Sequence, residues 1–456
     1  MTRRSLEDIL GIEPDLAPHE IEEQAAKVAR INETHAFVYG KGVIRENADG
    51  TISIESVREF ADWFANDGVW SRTSRGGDVF TSAAKIWMQS PDRRQYTGIV
   101  MDPREKSPGA YNLYRGFSYK PTRNGACERY LDHIYDHVCR GKAERFDWVM
   151  GWMAHVIQRP WEKPGTAIVM KGAQGAGKSV VAQHFGALMR HHHVTVYTPR
   201  GMLGQFNSHT ATALLVQVEE GFWAGDKAAE GALKHLITGP TVMLEKKGVD
   251  AIELPSFHRY MMTSNERWTV PARHDERRYC VLDVSDARAR DGKFFGAIAR
   301  EMKEGGYGAL MRYLMDFDLS RVDVRTVPQT EALAVEKLAG LRGIQAWWHE
   351  VLAAGVIPCE GRERFDQPRP DWREHRVSVR ADELRSALDV WLRGRRHHGD
   401  ILTAELFGRE LRDMCPTERV RRRDGRVDRI YFYDLPPLDQ CRRSFAEWLG
   451  SKVDWS

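Results

Sequence analysis

The run Gly172-Ala-Gln-Gly-Ala-Gly177-Lys178-Ser179 restricts the fold more than any other part of this chain. It satisfies G-x-x-x-x-G-K-[ST] in full. Ahead of it, after Pro160 and Pro164, the compact apolar stretch Thr166 to Lys171 has the pattern of a buried parallel strand, and the residues from Ser179 to Arg190 predict a helix. A strand, a glycine loop and a helix in that order make a phosphate cradle. The glycines let successive backbone N–H groups turn inward, and the helix N-terminus adds partial positive charge. Gly172, Gln174, Gly175, Ala176, Gly177, Lys178 and Ser179 are therefore the expected nucleotide-binding residues. Lys178 is expected on the β and γ phosphates and Ser179 on Mg²⁺, so ATP and Mg²⁺ are the expected cofactors. The plain alternative is a glycine-rich turn that fits by chance.

The middle third continues with strand-like runs at Val194 to Tyr197, Ala213 to Val218, Tyr260 to Ser264 and Tyr279 to Val284, alternating with helical patterns. Such alternation predicts an α/β domain with a mainly parallel sheet. Ala213 to Val218 ends in Glu219-Glu220, where a Walker B strand would put a metal-associated carboxylate and then a water-activating one. Glu219 is the expected Mg²⁺ partner and Glu220 the expected base; a solvated acidic strand end is the alternative. No N-K-x-D guanine-reading motif accompanies the loop.

Between these motifs, Thr241 to Leu254 reads as a hairpin with Lys246, Lys247 and Gly248 at its tip. A lysine pair there is either merely solvated or a grip on nucleic-acid phosphates. Composition does not choose between them, because 67 Lys plus Arg against 64 Asp plus Glu leave a net charge of only +3. Any binding charge must be local. No apolar run approaches the roughly 18 residues of a spanning helix. The start, MTRRSLEDIL, shows no secretory pattern, so a cytoplasmic protein away from membranes is expected. The six cysteines are scattered without a C-x-x-C pair and read as free thiols.

In this order the motifs from roughly Gly165 to Val284 resemble the superfamily 3 helicases, AAA+-type ring motors of viruses, plasmids and prophages. The resemblance implies that Asn265, ending the strand Tyr260 to Ser264, is a sensor that orients the attacking water. It implies an arginine finger within Asp275 to Tyr279, at Arg278 with Arg277 as the fallback, acting on a neighbouring subunit's site. The Leu244-Glu-Lys-Lys247 stretch looks like the DNA-gripping hairpin of polyomavirus large T antigens, which implies DNA binding at Lys246, Lys247 and Gly248. Lys234 matches a recurrent family lysine. The helicase portion of phage and prophage primase-helicase proteins is the most similar, through Trp87, Arg93-Arg94-Gln-Tyr96, Tyr111 to Gly116, Trp148 to Gln158, and Pro328 to Thr330 before Trp347-Trp348. One departure stands out. A priming or polymerising domain needs a carboxylate pair on a strand, and the tidy D-x-D here, Asp316 and Asp318, follows the core in a helical context. A separate primase or polymerase is the expected partner.

The expected fold is thus an α/β, P-loop AAA+-like ATPase core over 160–325, behind an N-terminal α+β collar region over 1–159. A mostly helical C-terminal unit over 326–456 follows, with a proline-containing linker near Val324 to Thr330. In the first region two amphipathic helices are expected between Cys127 and Gln158. Asp132 to Cys139, with histidines four apart, reads as a polar helix face, a metal site being the alternative, and His191-His192-His193 as a solvated loop. The C-terminal unit predicts helices at Ala381 to Arg395 and Thr403 to Met414 and a hairpin turning at Asp424-Gly425. With arginines from Arg393 to Arg396 and from Arg419 to Arg429, this has a winged-helix outline. A charge-balanced surface or subunit contact is the alternative. The expected function is an ATP-dependent DNA helicase or translocase, a hexameric ring holding a single strand in its channel during replication of a phage, prophage or satellite element. Two other classes stay open: an AAA+ scaffold, origin or defence protein that binds DNA without unwinding, and a small-molecule P-loop kinase.

Overall fold

The structure is a computed structural model that describes residues 17–72, 77–198, 210–219, 227–246, 249–266, 270, 272–358, 371–395, 402–424 and 427–455. Pro18, at the first helical position where its missing N–H costs nothing, opens α1 (Pro18–Thr34). A small sheet follows: β1 (His35–Val38), β2 (Gly42–Glu46) and β3 (Ile52–Glu55) are antiparallel. Next, α2 (Val57–Trp63) starts in a capping box made by Ser56 and Glu59, and β4 (Gly68–Arg72) with β5 (Asp78–Ser82) forms a ribbon leading into α3 (Ala83–Gln89). Val28, Phe60 and Trp87 pack these helices onto β2. The short strand β6 (Gln95–Tyr96) joins β1 in parallel, and β7 (Ile99–Val100) pairs with β8 (Tyr111–Asn112).

Two helices carry the chain toward the larger sheet. The first, α4 (Glu128–Asp132), runs into a π-helical turn at His133–Val138, and the second is α5 (Ala143–Gln158). Sequence periodicity predicts an amphipathic α5, but every residue from Trp148 to Ile157 is buried. A helix that is apolar all round belongs inside, and here one continuous core joins it to the sheet. The wider turn at His133 shifts the facing of α4, so that His133 is fully buried instead of lying on a polar face.

The sheet contains β9 (Ala167–Lys171), β10 (His193–Val196), β11 (Leu215–Glu219), β14 (Arg259–Ser264) and β15 (Tyr279–Asp283), in the order β10-β11-β14-β9-β15. All neighbours are parallel. It is the parallel-sheet α/β unit that the apolar runs predict. The helix α6 (Lys178–Ala187) follows β9 through the glycine loop. Between β11 and β14 the chain makes α7 (Lys227–Thr238) and an antiparallel hairpin of β12 (Thr241–Lys246) and β13 (Val249–Pro255). The half-buried Lys163 ammonium holds the base of that hairpin to the end of α7, donating to the carbonyls of Leu236 and Gly239 and to Ser256 Oγ at 2.7 to 2.9 Å.

Beyond the sheet come α8 (Gly292–Glu301), α9 (Tyr307–Asp316) and α10 (Glu331–Ala339). The stretch expected as a linker is packed: Val324, Val327 and Thr330 are buried, and Thr166 Oγ1 donates to the Val324 carbonyl at 2.8 Å. Because α10 lies on β15 and Glu336 pairs with Lys171, the first core extends through Leu333. Asp316 pairs with Arg312, and Asp318 caps the turn at Ser320, so the D-x-D is spent on local structure. A second core holds α11 (Ile344–Ala354), β16 (Val377–Arg380), α12 (Ala381–Gly394), α13 (Ala404–Met414), β18 (Val427–Leu435) and α14 (Leu438–Leu449), and β17 (Glu418–Asp424) pairs with β18 outside it. Its sheet has the order β16-β18-β17. Cys415 and Cys441 are buried there with their sulfurs 3.5 Å apart, and the described cysteines are free thiols.

Candidate functional site

Strand order locates the crevice. From β9 the chain crosses to β10 at one edge of the sheet, and from β14 it passes over β9 to β15 at the other. In an open parallel sheet a ligand crevice opens at the carboxyl ends of strands around such a reversal. A cleft of about 340 Å³ lies there, lined by Gln174, Gly175, Gly177, Lys178, Ser179 and Val180 of the loop, with Glu219, Thr263, Ser264, Asn265, Arg290, Gly292 and Phe295. Residues far apart in sequence meet because β9, β11 and β14 end side by side.

The loop conformation depends on its glycines. Gly175 and Gly177 have φ of +81° and +89°, the left-handed region that a β-carbon disfavours. At Gly177 a β-carbon would also sit 2.4 Å from Phe295 Cε1 and 2.7 Å from the His133 ring. Gly177 leads into α6 at Lys178, whose ammonium donates to the carbonyls of Gly172 and Ala173 and to Asn265 Oδ1, at 2.8, 2.8 and 2.9 Å. One cation therefore ties the loop to the end of β14. Arg290, with φ +63°, donates its backbone N–H to the Gly175 carbonyl at 3.0 Å and stands on the cleft wall. A helix N-terminus with a lysine and an arginine at its mouth suits an anion.

Glu219 is held by a relay. Gln217 Nε2 donates to Glu219 Oε1 at 2.6 Å, which turns the Gln217 carbonyl oxygen toward His193 Nε2 at 3.0 Å. The His193 proton therefore lies on Nε2. Burial lowers the pKa of His193 from its ordinary value. The residues expected to be a solvated histidine loop are thus built in. His192 is also buried, receiving the Arg115 N–H on Nε2 at 2.8 Å and donating from Nδ1 to the Thr212 carbonyl at 2.8 Å. Beneath the loop, His133 Nε2 lies 3.2 Å from the Gly177 carbonyl, and burial brings its pKa down to about 4. Arg290 and Phe295 carry no motif, and the spacing of His133 and His137 points to a helix face and not to the underside of the loop.

The structure gathers Lys178, Ser179, Glu219 and Asn265 at one cleft. Ser179 and Glu219 offer hard oxygen donors of the kind Mg²⁺ takes, so the side chains present fit that ion. Arg277 and Arg278 stand elsewhere. The Arg278 carbonyl accepts from Ala167 N–H at 2.8 Å, at the amino end of β9, whereas the loop follows its carboxyl end, about 17 Å along the strand. Arg278 cannot reach the cleft of its own chain. Its guanidinium donates to the buried Glu276 carboxylate at 3.1 Å, with Lys234 4.0 Å away, and Arg277 is exposed. Glu220, Lys247 and Gly248, and the side chain of Lys246, lie outside the described residues. Among the described residues no cluster of His, Cys, Asp and Glu forms a separate metal site, and no helix is long and apolar enough to cross a membrane.

Fold and site together define a mixed α/β protein with a glycine loop at the carboxyl edge of a parallel sheet. A family of unknown function, DUF5906, matches residues 170–278, the segment that carries the loop and the ends of the neighbouring strands. The DNA primase-polymerase of Nitratiruptor phage NrS-1 is 23% identical over 185 residues, covering 40% of this chain and 26% of that protein. The chain thus spans about a quarter of the length of the curated relative it matches. Two apo structures of the NrS-1 C-terminal region share the fold. One has a TM-score of 0.62 and 17% identity, over 88% of this chain and 95% of that one; the other has 0.61 and 16%, over 88% and 96%.

Proposed function

We propose that this protein is an ATP-dependent DNA translocase or helicase of phage replication, working as a ring and most simply a hexamer, on a P-loop AAA+-like core. The observation that carries this reading is the cleft where Lys178, Ser179, Glu219 and Asn265 meet. Similarity to a phage DNA primase-polymerase supports the replication setting. Lys178 takes the β and γ phosphates of ATP, the loop and the α6 N-terminus cradle them, and Asn265 orients the attacking water. Glu220 accepts that water's proton. Ser179 and Glu219 hold Mg²⁺, which when bound neutralises phosphate charge. The distance of Arg278 from its own chain's cleft supports a role in trans, in which one subunit's arginine completes the next subunit's site.

The hairpin of β12 and β13 places its tip, with Lys246, Lys247 and Gly248, on the single strand in the channel. The β16-α12-α13-β17-β18 order supports a winged-helix reading of the C-terminal unit, with Arg419 stacked 3.9 Å over the Tyr431 ring on its hairpin. On this reading the ATPase core follows an N-terminal collar and precedes the winged-helix-like unit. A separate primase or polymerase supplies the primer.

The test joins ATP hydrolysis to strand displacement at several salt concentrations. Lys178→Ala is expected to abolish hydrolysis, and Lys247→Ala to keep much of it while losing unwinding. Hydrolysis with duplex binding but no released strand would mark a scaffold, and a monomer with full activity would mark a small-molecule kinase. If Lys247→Ala unwinds like the parent, the hairpin assignment is wrong.

A further inference from the structure

Two segments have no role in the function above: Arg93-Arg94-Gln-Tyr96, and Tyr111 to Gly116. The fold brings them together around one carboxylate. At the end of β2, Glu46 Oε1 accepts from Arg94 Nη2 at 2.9 Å and Tyr111 Oη at 2.8 Å, with Arg115 Nη2 3.2 Å away. Two guanidiniums sharing one carboxylate leave a unit of positive charge on a half-buried wall. Both also lie over tyrosine faces, Arg94 over Tyr96 and Tyr111 and Arg115 over Tyr111, at 5.3 to 5.8 Å. Carboxylate and rings together fix the planes of the guanidiniums. Nη1 of Arg94, and Nε and Nη1 of Arg115, make no hydrogen bond to the described residues.

In front of this wall lies a cavity of about 370 Å³, lined by Arg94, Tyr96, Tyr111, Asn112, Tyr114 and Arg115 among others. Its rim is the 102–107 loop, where Asp102 accepts the N–H groups of Arg104 and Lys106 and the Ser107 hydroxyl at 2.7 to 3.0 Å. Glu105 contributes an acidic group to the exposed edge, with φ +55°, between Arg104 and Lys106. Tyr114 stacks on His192 with ring centroids 5.1 Å apart and planes at 16°, and His192 also receives the Arg115 N–H.

The geometry points to a nucleotide-binding site in the N-terminal region, separate from the phosphate-loop cleft, that takes one unit of a single-stranded nucleic acid. Free guanidinium donors meet a phosphate, and the half-buried rings of Tyr96 and Tyr114 meet a base. The volume suits one nucleotide, at the small end of ligand cavities. A free mononucleotide offers the same chemistry, so the experiment must separate the two sources.

The probe is a fluorescein-labelled dT12 strand, added to the full chain without ATP, in a Lys246→Ala/Lys247→Ala background that removes the lysines of the hairpin tip. Arg94→Gln/Arg115→Gln is expected to weaken binding at least tenfold and to flatten the salt dependence by a slope of about 0.7 to 1.4, the equivalent of one or two phosphates. Displacement of the strand by millimolar thymidine 5′-monophosphate assigns the site to mononucleotides, and retention assigns it to strands. Because the double variant can misfold, the chain with native Arg94 and Arg115 is also crosslinked to a dT12 strand carrying 4-thiothymidine. Crosslinks are expected in peptides holding Tyr96 or Tyr111 to Arg115. Unchanged affinity and slope in a folded double variant, or crosslinks only elsewhere, overturn the site.

Discussion

Gly177→Ala isolates what the loop requires of its backbone. At φ +89° an alanine costs about 1 to 2 kcal/mol relative to glycine. Its β-carbon would lie 2.4 Å from Phe295 Cε1 and 2.7 Å from His133 Cε1 and Nε2, and relieving such overpacking costs about 1 to 3 kcal/mol more. The sum is about 2 to 5 kcal/mol placed on one conformation. If the loop relaxes, affinity for a non-hydrolysable ATP analogue falls by about 30-fold to a few thousand-fold, at tenfold per 1.4 kcal/mol. If the loop holds its shape, the same energy appears as lost stability. Titration calorimetry and thermal melts together therefore account for it. Gly231→Ala is the control, since that glycine lies in α7 with open space around it and the change is expected to be neutral or slightly stabilising. Adding Phe295→Ala and His133→Ala to Gly177→Ala removes the clash but not the backbone term, so recovery is partial. Gly177→Ala with parental affinity and parental melting temperature would refute the reasoning.

Two further outcomes concern stability. His133, His155 and His192 have pKa values brought down to about 4 by burial, so between about pH 6.5 and 4 the unfolded chain binds more protons than the folded one. Stability is then present above pH 6.5 and falls as the pH drops toward 4, by up to about 3 kcal/mol per histidine. Both ring nitrogens of His155 lack a partner among the described residues, so in urea melts from pH 7.5 to 4.5 His155→Phe is expected to make the acid loss shallower by up to one such increment, with little change at neutral pH. Glu336 is fully buried, accepting from Lys171 Nζ at 3.2 Å and from Val270 N–H at 3.1 Å. Glu336→Leu removes a buried carboxylate partner of Lys171 and is expected to cost about 3 to 5 kcal/mol in denaturant unfolding, while Lys171→Met/Glu336→Leu recovers most of it.

The parallel sheet, its loop and its helix were legible because each has a local cause. A strand buried on both faces must be apolar throughout, and a left-handed turn before a helix calls for glycine, so β9, Gly175 and Gly177 announce themselves. Glu219 and Asn265 were also readable, since each closes an apolar run. Other features have no local signature. The π-helical turn that sends His133 under Gly177 changes which face is buried without altering the spacing of apolar residues. His193 looks solvated within a histidine run until the strand pairing puts Gln217 and Glu219 in line with it. In the same way, Glu46, Arg94, Tyr111 and Arg115 are scattered residues until β2, β6 and β8 bring them around one carboxylate. By itself the sequence determined the chemistry of single segments: a glycine loop, a lysine, and carboxylate and amide strand ends. Only the tertiary structure decided which segments share a cleft, which buried groups hold them there, and that Arg278 stands at the opposite end of the strands from its own loop. The physical reason is that backbone conformation follows from neighbours along the chain, while proximity between side chains follows from strand order and burial.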